Sequence, residues 1–239
     1  MRDELALVTG ASGGIGGAIS TALAKHSARL ILMGRDGTKL SACAEGLRAF
    51  TSSVEACVCD LTKAEEIEEA CADISDKYGR LDILVHCAGV IQHGNLADAP
   101  LVSMDLQYAA NVRGPLLLTQ RLLPLLKKPR GQIVFINSSA GLNAPPNAGQ
   151  FSATQHAFKA LADAFRDEVN AEGVRISSVF PGRTATARIS SLHQSEGREF
   201  RPELLLQPED VASVVLNILT LPWTAEVTNV SIRPMLKSY

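Results

Sequence analysis

The fold is decided by Leu5-Ala6-Leu7-Val8-Thr9-Gly10-Ala11-Ser12-Gly13-Gly14-Ile15-Gly16-Gly17. The apolar run at its start reads as a short buried strand, the glycines mark a tight turn, and a helical pattern takes over from Ala18 toward His26. Strand, glycine turn and helix in that order form a ready anion site. Glycine lets the backbone turn sharply and approach a pyrophosphate, while the first helical turn offers free N–H groups at the positive end of the dipole. Taken alone, a glycine turn fits a plain strand-to-helix connection equally well, so its surroundings decide.

Those surroundings alternate strand and helix. Apolar segments at 29–33, 54–59, 81–85, 132–136, 174–179 and 225–232 read as further strands. Between them run helical patterns at 63–78, 102–127, from 151 onward and at 208–219. The first of these carries Glu65, Glu66, Glu68 and Glu69 as a solvated face and stops at Gly79; the last opens with Pro208, Glu209 and Asp210, a proline and acids suited to a first turn. A chain of 239 residues that is 46% hydrophobic buries one substantial core, so a single domain over 1–239 is expected.

The bulk properties narrow the function. A formal net charge of −2 without blocks of one sign gives no electrostatic basis for binding nucleic acid or an anionic membrane. The leucine-rich stretch 116–126 is interrupted by Thr119, Gln120, Arg121 and Pro124 and reads as a buried helix, not a membrane span. Cys43, Cys57, Cys59, Cys71 and Cys87 form no C-x-x-C pair and have no histidine at metal-ligand spacing, which points to reduced thiols and no metal site. Met1 to Glu4 run directly into the first strand without a signal-peptide stretch, so a cytoplasmic location is expected.

The spacing Thr-Gly-x-x-x-Gly-x-Gly at 9–16, with Asp60-Leu61, Ala88-Gly89, Asn111, Ser138 and Pro181-Gly182 downstream, resembles the short-chain dehydrogenase/reductase family over nearly the whole chain. The resemblance implies an α/β, doubly wound Rossmann domain with a predominantly parallel seven-stranded sheet flanked by helices. It implies a bound dinucleotide touching Gly10, Ser12, Gly14, Ile15, Gly16, Arg35, Asp60, Leu61, Ala88, Gly89, Pro181, Gly182 and Thr184. It also implies a small-molecule carbonyl or alcohol substrate and a homodimer or homotetramer. Arg35 after Gly34 resembles the pattern that prefers NADP, since arginine pairs bidentately with a 2′-phosphate; Asp36 keeps NAD open as the less favoured cofactor. Asp60 has a second reading as the cap of the helix that follows.

The departures concern the chemistry. In the family a helix carries Tyr-x-x-x-Lys, two residues one turn apart that project from one face into the site. Here Gln150-Phe151-Ser152-Ala153-Thr154-Gln155-His156 places Phe151 and Gln155 at those positions. Phenylalanine has no proton to give, and glutamine has no charge with which to lower a phenol pKa. Ser138, which would hold the substrate oxygen, and Asn111, which would distort its helix and hold a relay water, are kept; Ser139 competes with Ser138 for the first role. His86 and Cys87 replace two asparagines usual in the family, a change expected to loosen that edge of the site. His93 and Asn143 fall in loops expected to face the substrate, with His93 either a stand-in acid or a solvated loop residue, and the polar stretch 188–206 is expected to be an irregular lid. Three readings of the departures stay open at this level: a disabled reductase, a non-redox enzyme such as an isomerase, dehydratase or cyclase, and an inactive NADP-binding partner protein.

Overall fold

Alternation along the first strand builds two cores at once. In the computed structural model, which describes residues 3–26, 28–51 and 53–236, β1 (Leu5–Thr9) sends Leu5 and Leu7 to one face of a sheet and Ala6 and Val8 to the other. Both faces are covered, which is why the strand reads as an unbroken apolar run. On one side α3 (Ala64–Tyr78), α5 (Gly114–Lys127) and α6 (Gly149–Val169) close the core through Ile67, Ile74, Leu118, Leu122, Phe158 and Phe165. On the other, α1 (Gly14–Lys25), α2 (Gly37–Leu47) and α8 (Pro208–Leu219) contribute Ile19, Leu23, Leu40, Val211 and Val215.

The sheet has seven strands in the order β3-β2-β1-β4-β5-β6-β7, with β2 (Arg29–Gly34), β3 (Val54–Val58), β4 (Ile83–His86), β5 (Gln132–Ile136), β6 (Arg175–Pro181) and β7 (Asn229–Ile232). Every neighbouring pair is parallel. The order reverses direction between β1 and β4, and a crevice opens there beyond the carboxyl ends of the strands.

Three local differences from the sequence reading have physical causes. The helix expected over 102–127 is two helices, α4 (Leu101–Tyr108) and α5, joined by a π-helical turn at Ala109–Arg113 that carries Asn111. The stretch 188–206 is not irregular: α7 (Ala187–Ser195) starts where the Thr186 hydroxyl accepts a hydrogen bond from Ile189 N–H at 3.3 Å, and a 3-10 turn follows at Pro202–Leu204. The helix α2 starts at the Asp36 carboxylate, which accepts from Lys39 N–H at 3.0 Å. No helix among the described residues is long and apolar enough to cross a membrane.

Candidate active site

The crevice holds a cavity of about 680 Å³, in the range of small-molecule and cofactor sites. Its floor is the glycine turn. Gly10 has φ +67, and a Cβ there would stand 2.9 Å from the Ala88 backbone; a Cβ on Gly16 would stand 2.3 Å from the Gly10 carbonyl oxygen. Glycine at these two positions lets β1, α1 and the end of β4 approach one another. Thr9 fastens the same junction, its hydroxyl accepting from Cys87 N–H at 2.9 Å and Ala88 N–H at 3.0 Å. The N-terminus of α1 has no side-chain cap and no acid in its first turn, so its N–H groups are left for an external anion.

At one end of the cavity stand Arg35 and Lys39. Asp36 lies between them but is committed to the α2 N-terminus and to Lys39, 3.2 Å away. The N–H of Lys39, its side chain and its charge hold the Asp36 carboxyl below the usual range. This end is therefore cationic. Asp60 does not reach the cavity: its carboxylate accepts from the Thr62 N–H and hydroxyl, both at 2.9 Å, in a turn that precedes α3. Nor does it cap that helix, whose N-cap position is Lys63. Leu61 beside it lines the wall as expected.

The other end gathers Asn111, Ser138, Phe151 and Gln155, all of which line the cavity. Ser138 caps a 3-10 turn at Ser139–Gly141; its hydroxyl oxygen accepts from Ala140 N–H at 3.1 Å, which leaves the hydroxyl hydrogen free to donate. Ser139 is exposed and does not line this cavity. Asn111 is fully engaged, accepting from Val90 N–H at 2.7 Å and donating to Val90 carbonyl at 2.8 Å and the Thr154 hydroxyl at 3.1 Å. It pins the loop after β4 to α6. The Gln155 side chain has no hydrogen-bond partner among the described residues, while its carbonyl accepts from Asn137 Nδ2 at 3.0 Å.

The remaining expected residues separate. Gly10, Ser12, Gly14, Ile15, Gly16, Ala88, Gly89, Pro181, Gly182 and Thr184 line the cavity. Asn143 is exposed and does not. His93 lies outside the nucleotide-sized space, its ring 6.4 Å from the Phe151 ring, half-buried and hydrogen-bonded, so it is not a solvated loop histidine. The edge at His86 is not loosened: the ring is fully buried, its Nε2 lies 2.8 Å from the Thr119 hydroxyl, and it packs 4.9 Å from the Phe135 ring. Burial pushes its pKa down to about 3. Burial likewise pushes the Cys87 thiol up to about 12, with the Arg188 charge acting weakly in the other direction, so Cys87 lines the cavity as a neutral thiol.

Sequence reasoning passed over Lys39, which lines the cavity together with Thr186, of the Pro-Gly segment expected beside the nicotinamide, and Arg188, the first residue of the expected lid. Thr186 carried a signal, a capping residue ahead of a helical pattern; its Cγ2 would sit 3.0 Å from a Cβ at Gly14, which closes the cavity over the glycine turn.

Known proteins share this fold. The family model described as short chain dehydrogenase matches residues 4–197. An oxidoreductase of Staphylococcus aureus strain MRSA252, described as uncharacterized, is 30% identical over 236 residues, 98% of this chain and 99% of that protein. Among solved structures, an alcohol dehydrogenase from the archaeon Thermococcus sibiricus complexed with 5-hydroxy-NADP is 26% identical with a TM-score of 0.89, covering 100% of this chain and 99% of that one. A metagenomic short-chain oxidoreductase in complex with NADP is 29% identical with a TM-score of 0.85, covering 99% of each chain.

Proposed function

The chain belongs to the short-chain dehydrogenase family, and from that premise we propose that it binds NADP(H) in this cavity and acts on the carbonyl or alcohol of a small molecule through an altered proton relay. One observation carries the reading: a single cavity joins the glycine turn, Arg35 and Lys39 to Ser138, with Phe151 and Gln155 lining the same space. The NADP found in the metagenomic oxidoreductase supports the choice of nucleotide.

Arg35 and Lys39 pair with the 2′-phosphate, and Asp36, held by its cap, is not free to favour an unphosphorylated ribose. The uncapped N–H groups of α1 receive the pyrophosphate. When bound, NADPH supplies the hydride. Ser138 donates its free hydroxyl hydrogen to the substrate oxygen as charge develops there. Phe151 fills the space of the acid without its proton, and the Gln155 amide offers hydrogen bonds to ribose hydroxyls but no charge. General acid catalysis is typically worth about 10²- to 10⁴-fold, so turnover is slow unless another group supplies the proton. Leu101 and Val102, 79% and 73% exposed on α4, support a homo-oligomer that covers this face.

Fluorescence titration of the purified chain with NADPH and NADH tests the reading, with Phe151→Tyr/Gln155→Lys measured alongside. NADPH is expected to bind more tightly than NADH, and the double variant to reduce carbonyl probes at least as fast as the unaltered chain. If neither nucleotide binds at any accessible concentration, the reading fails.

A further inference from the structure

We propose that His93 is the proton donor and acceptor of this site, held in place by Glu196; this rests on the reductase reading above. His93 Nδ1 lies 2.8 Å from Glu196 Oε1. Burial pushes the Glu196 carboxyl up, but the hydrogen bond from His93 and the charges of Arg183 and Arg198 together bring it below the usual carboxylate range. The carboxylate therefore accepts, and Nδ1 is the nitrogen that carries the hydrogen. No hydrogen-bond partner meets Nε2 among the described residues, and the ring lies 6.4 Å from the Phe151 ring that replaces the family's acid. That leaves Nε2 free beside the Phe151 side of the cavity, where in this proposal it meets the substrate oxygen.

The surroundings hold the imidazole in place. On either side of His93, Gln92 N–H donates to the buried Gln107 side chain at 3.0 Å and Gly94 N–H donates to the Asn147 carbonyl at 2.7 Å. Glu196 sits at the end of α7 and is flanked by Arg183 Nη2 at 3.7 Å and Arg198 Nη1 at 3.5 Å. Arg183 Nη1 in turn lies 2.9 Å from His193 Nε2, whose Nδ1 lies 3.2 Å from the Glu199 carbonyl. The acid is thus assembled from the loop after β4 and the end of α7, and it exists only while α7 is packed against that loop.

In carbonyl reduction, the Nε2–H bond of protonated His93 breaks as the new O–H bond forms. The carbonyl π pair would pass to that oxygen as the carbon receives the hydride that NADPH, when bound, would supply, leaving NADP⁺. His93 is left neutral with Nδ1–H still on Glu196, and solvent returns the proton to Nε2. Alcohol oxidation runs the same bonds in reverse. His93 is the catalytic residue in this scheme and Glu196 a positioning residue.

The experiment uses the full chain with His93→Gln, Glu196→Ala and Phe151→Tyr/Gln155→Lys beside it, NADPH as the nucleotide, and activated aldehydes and ketones as probes. NADPH affinity is read by fluorescence titration, hydride transfer by single-turnover loss of nicotinamide absorbance, and the His93 tautomer by imidazole nitrogen NMR of the chain without nucleotide. The amide of His93→Gln can keep the bond to Glu196, so this variant removes the proton without opening the loop. It is expected to slow hydride transfer about 10²-fold at unchanged NADPH affinity. Glu196→Ala is expected to lower kcat with KM unchanged and to release the Nδ1–H tautomer that NMR finds in the unaltered chain.

The proposal is overturned if His93→Gln transfers hydride at the unaltered rate, or if NMR of the neutral ring places its single hydrogen on Nε2. It is also overturned if the unaltered chain fails on a carbonyl that the tyrosine-lysine variant reduces. Absence of NADPH binding, or of reduction by either chain on every probe, removes the reductase reading and the dyad with it.

Discussion

Replacing His86 by asparagine is expected to remove a pH dependence of stability that the native chain carries in one ring. His86 is completely buried against Phe135 and Phe158, with Nε2 on the Thr119 hydroxyl and no partner for Nδ1 among the described residues. Burial moves its pKa from 6.5 down to about 3, so between those values the unfolded chain takes up a proton that the folded chain refuses. A state that binds more protons gains as pH falls, and here that state is the unfolded one. The stability tied to His86 is therefore complete above the unfolded value and is lost as pH drops from 6.5 toward 3.

From the tenfold free-energy increment, the native chain loses about 1 kcal/mol through this ring at roughly pH 5.5 and about 3 kcal/mol at roughly pH 4.5. Asparagine does not titrate. Its smaller side chain costs about 1–3 kcal/mol of packing, and that cost is the same at every pH. Urea unfolding of both chains at one protein concentration, from about pH 7.5 to 5.5, therefore gives curves that converge as the solution is acidified. Parallel curves would refute the reasoning, because they would mean that His86 protonates as readily folded as unfolded.

The cavity gives further expectations. Gly16→Ala puts a Cβ 2.3 Å from the Gly10 carbonyl oxygen, a backbone atom that cannot swing aside. The overpacking costs about 1–3 kcal/mol, and NADPH affinity is expected to fall about tenfold or more; unchanged affinity in a fluorescence titration would show that the turn does not hold the pyrophosphate. Arg35→Ala removes charge-assisted bonds worth about 1.5–3 kcal/mol, so NADPH is expected to bind roughly 10- to 150-fold more weakly while NADH is unaffected, as paired titrations would read. Thr186→Val deletes the α7 cap at a cost of about 1 kcal/mol, which hydrogen exchange should register as faster exchange in α7 with α1 unchanged.

The parts of the site that could be read early depend on local chemistry. Gly10 and Gly16 announce a close backbone approach because no other residue permits it, and the absence of a hydroxyl at Phe151 or a charge at Gln155 is a property of the residue itself. Arg35 was legible for the same reason, whereas the commitment of Asp36 to its helix was not, since it depends on α2 starting at that residue. Asp60 and Asn143 were placed at the site by position in the chain, and the turn at Thr62 and the exposure of the loop after Ser139 took them out of it.

By itself the sequence determined the alternation of strand and helix and the glycine floor, because unbroken apolar runs and steric freedom are carried residue by residue, and the family resemblance added the parallel sheet. Only the tertiary structure decided the surroundings of His86 and His93. Burial among Phe135, Phe158 and Thr119 makes one histidine a neutral core ring. A carboxylate 103 residues away orients the other beside Phe151. Burial and distant hydrogen bonds exist only once the strands are in register and α7 is packed, so no reading of neighbours along the chain contains them.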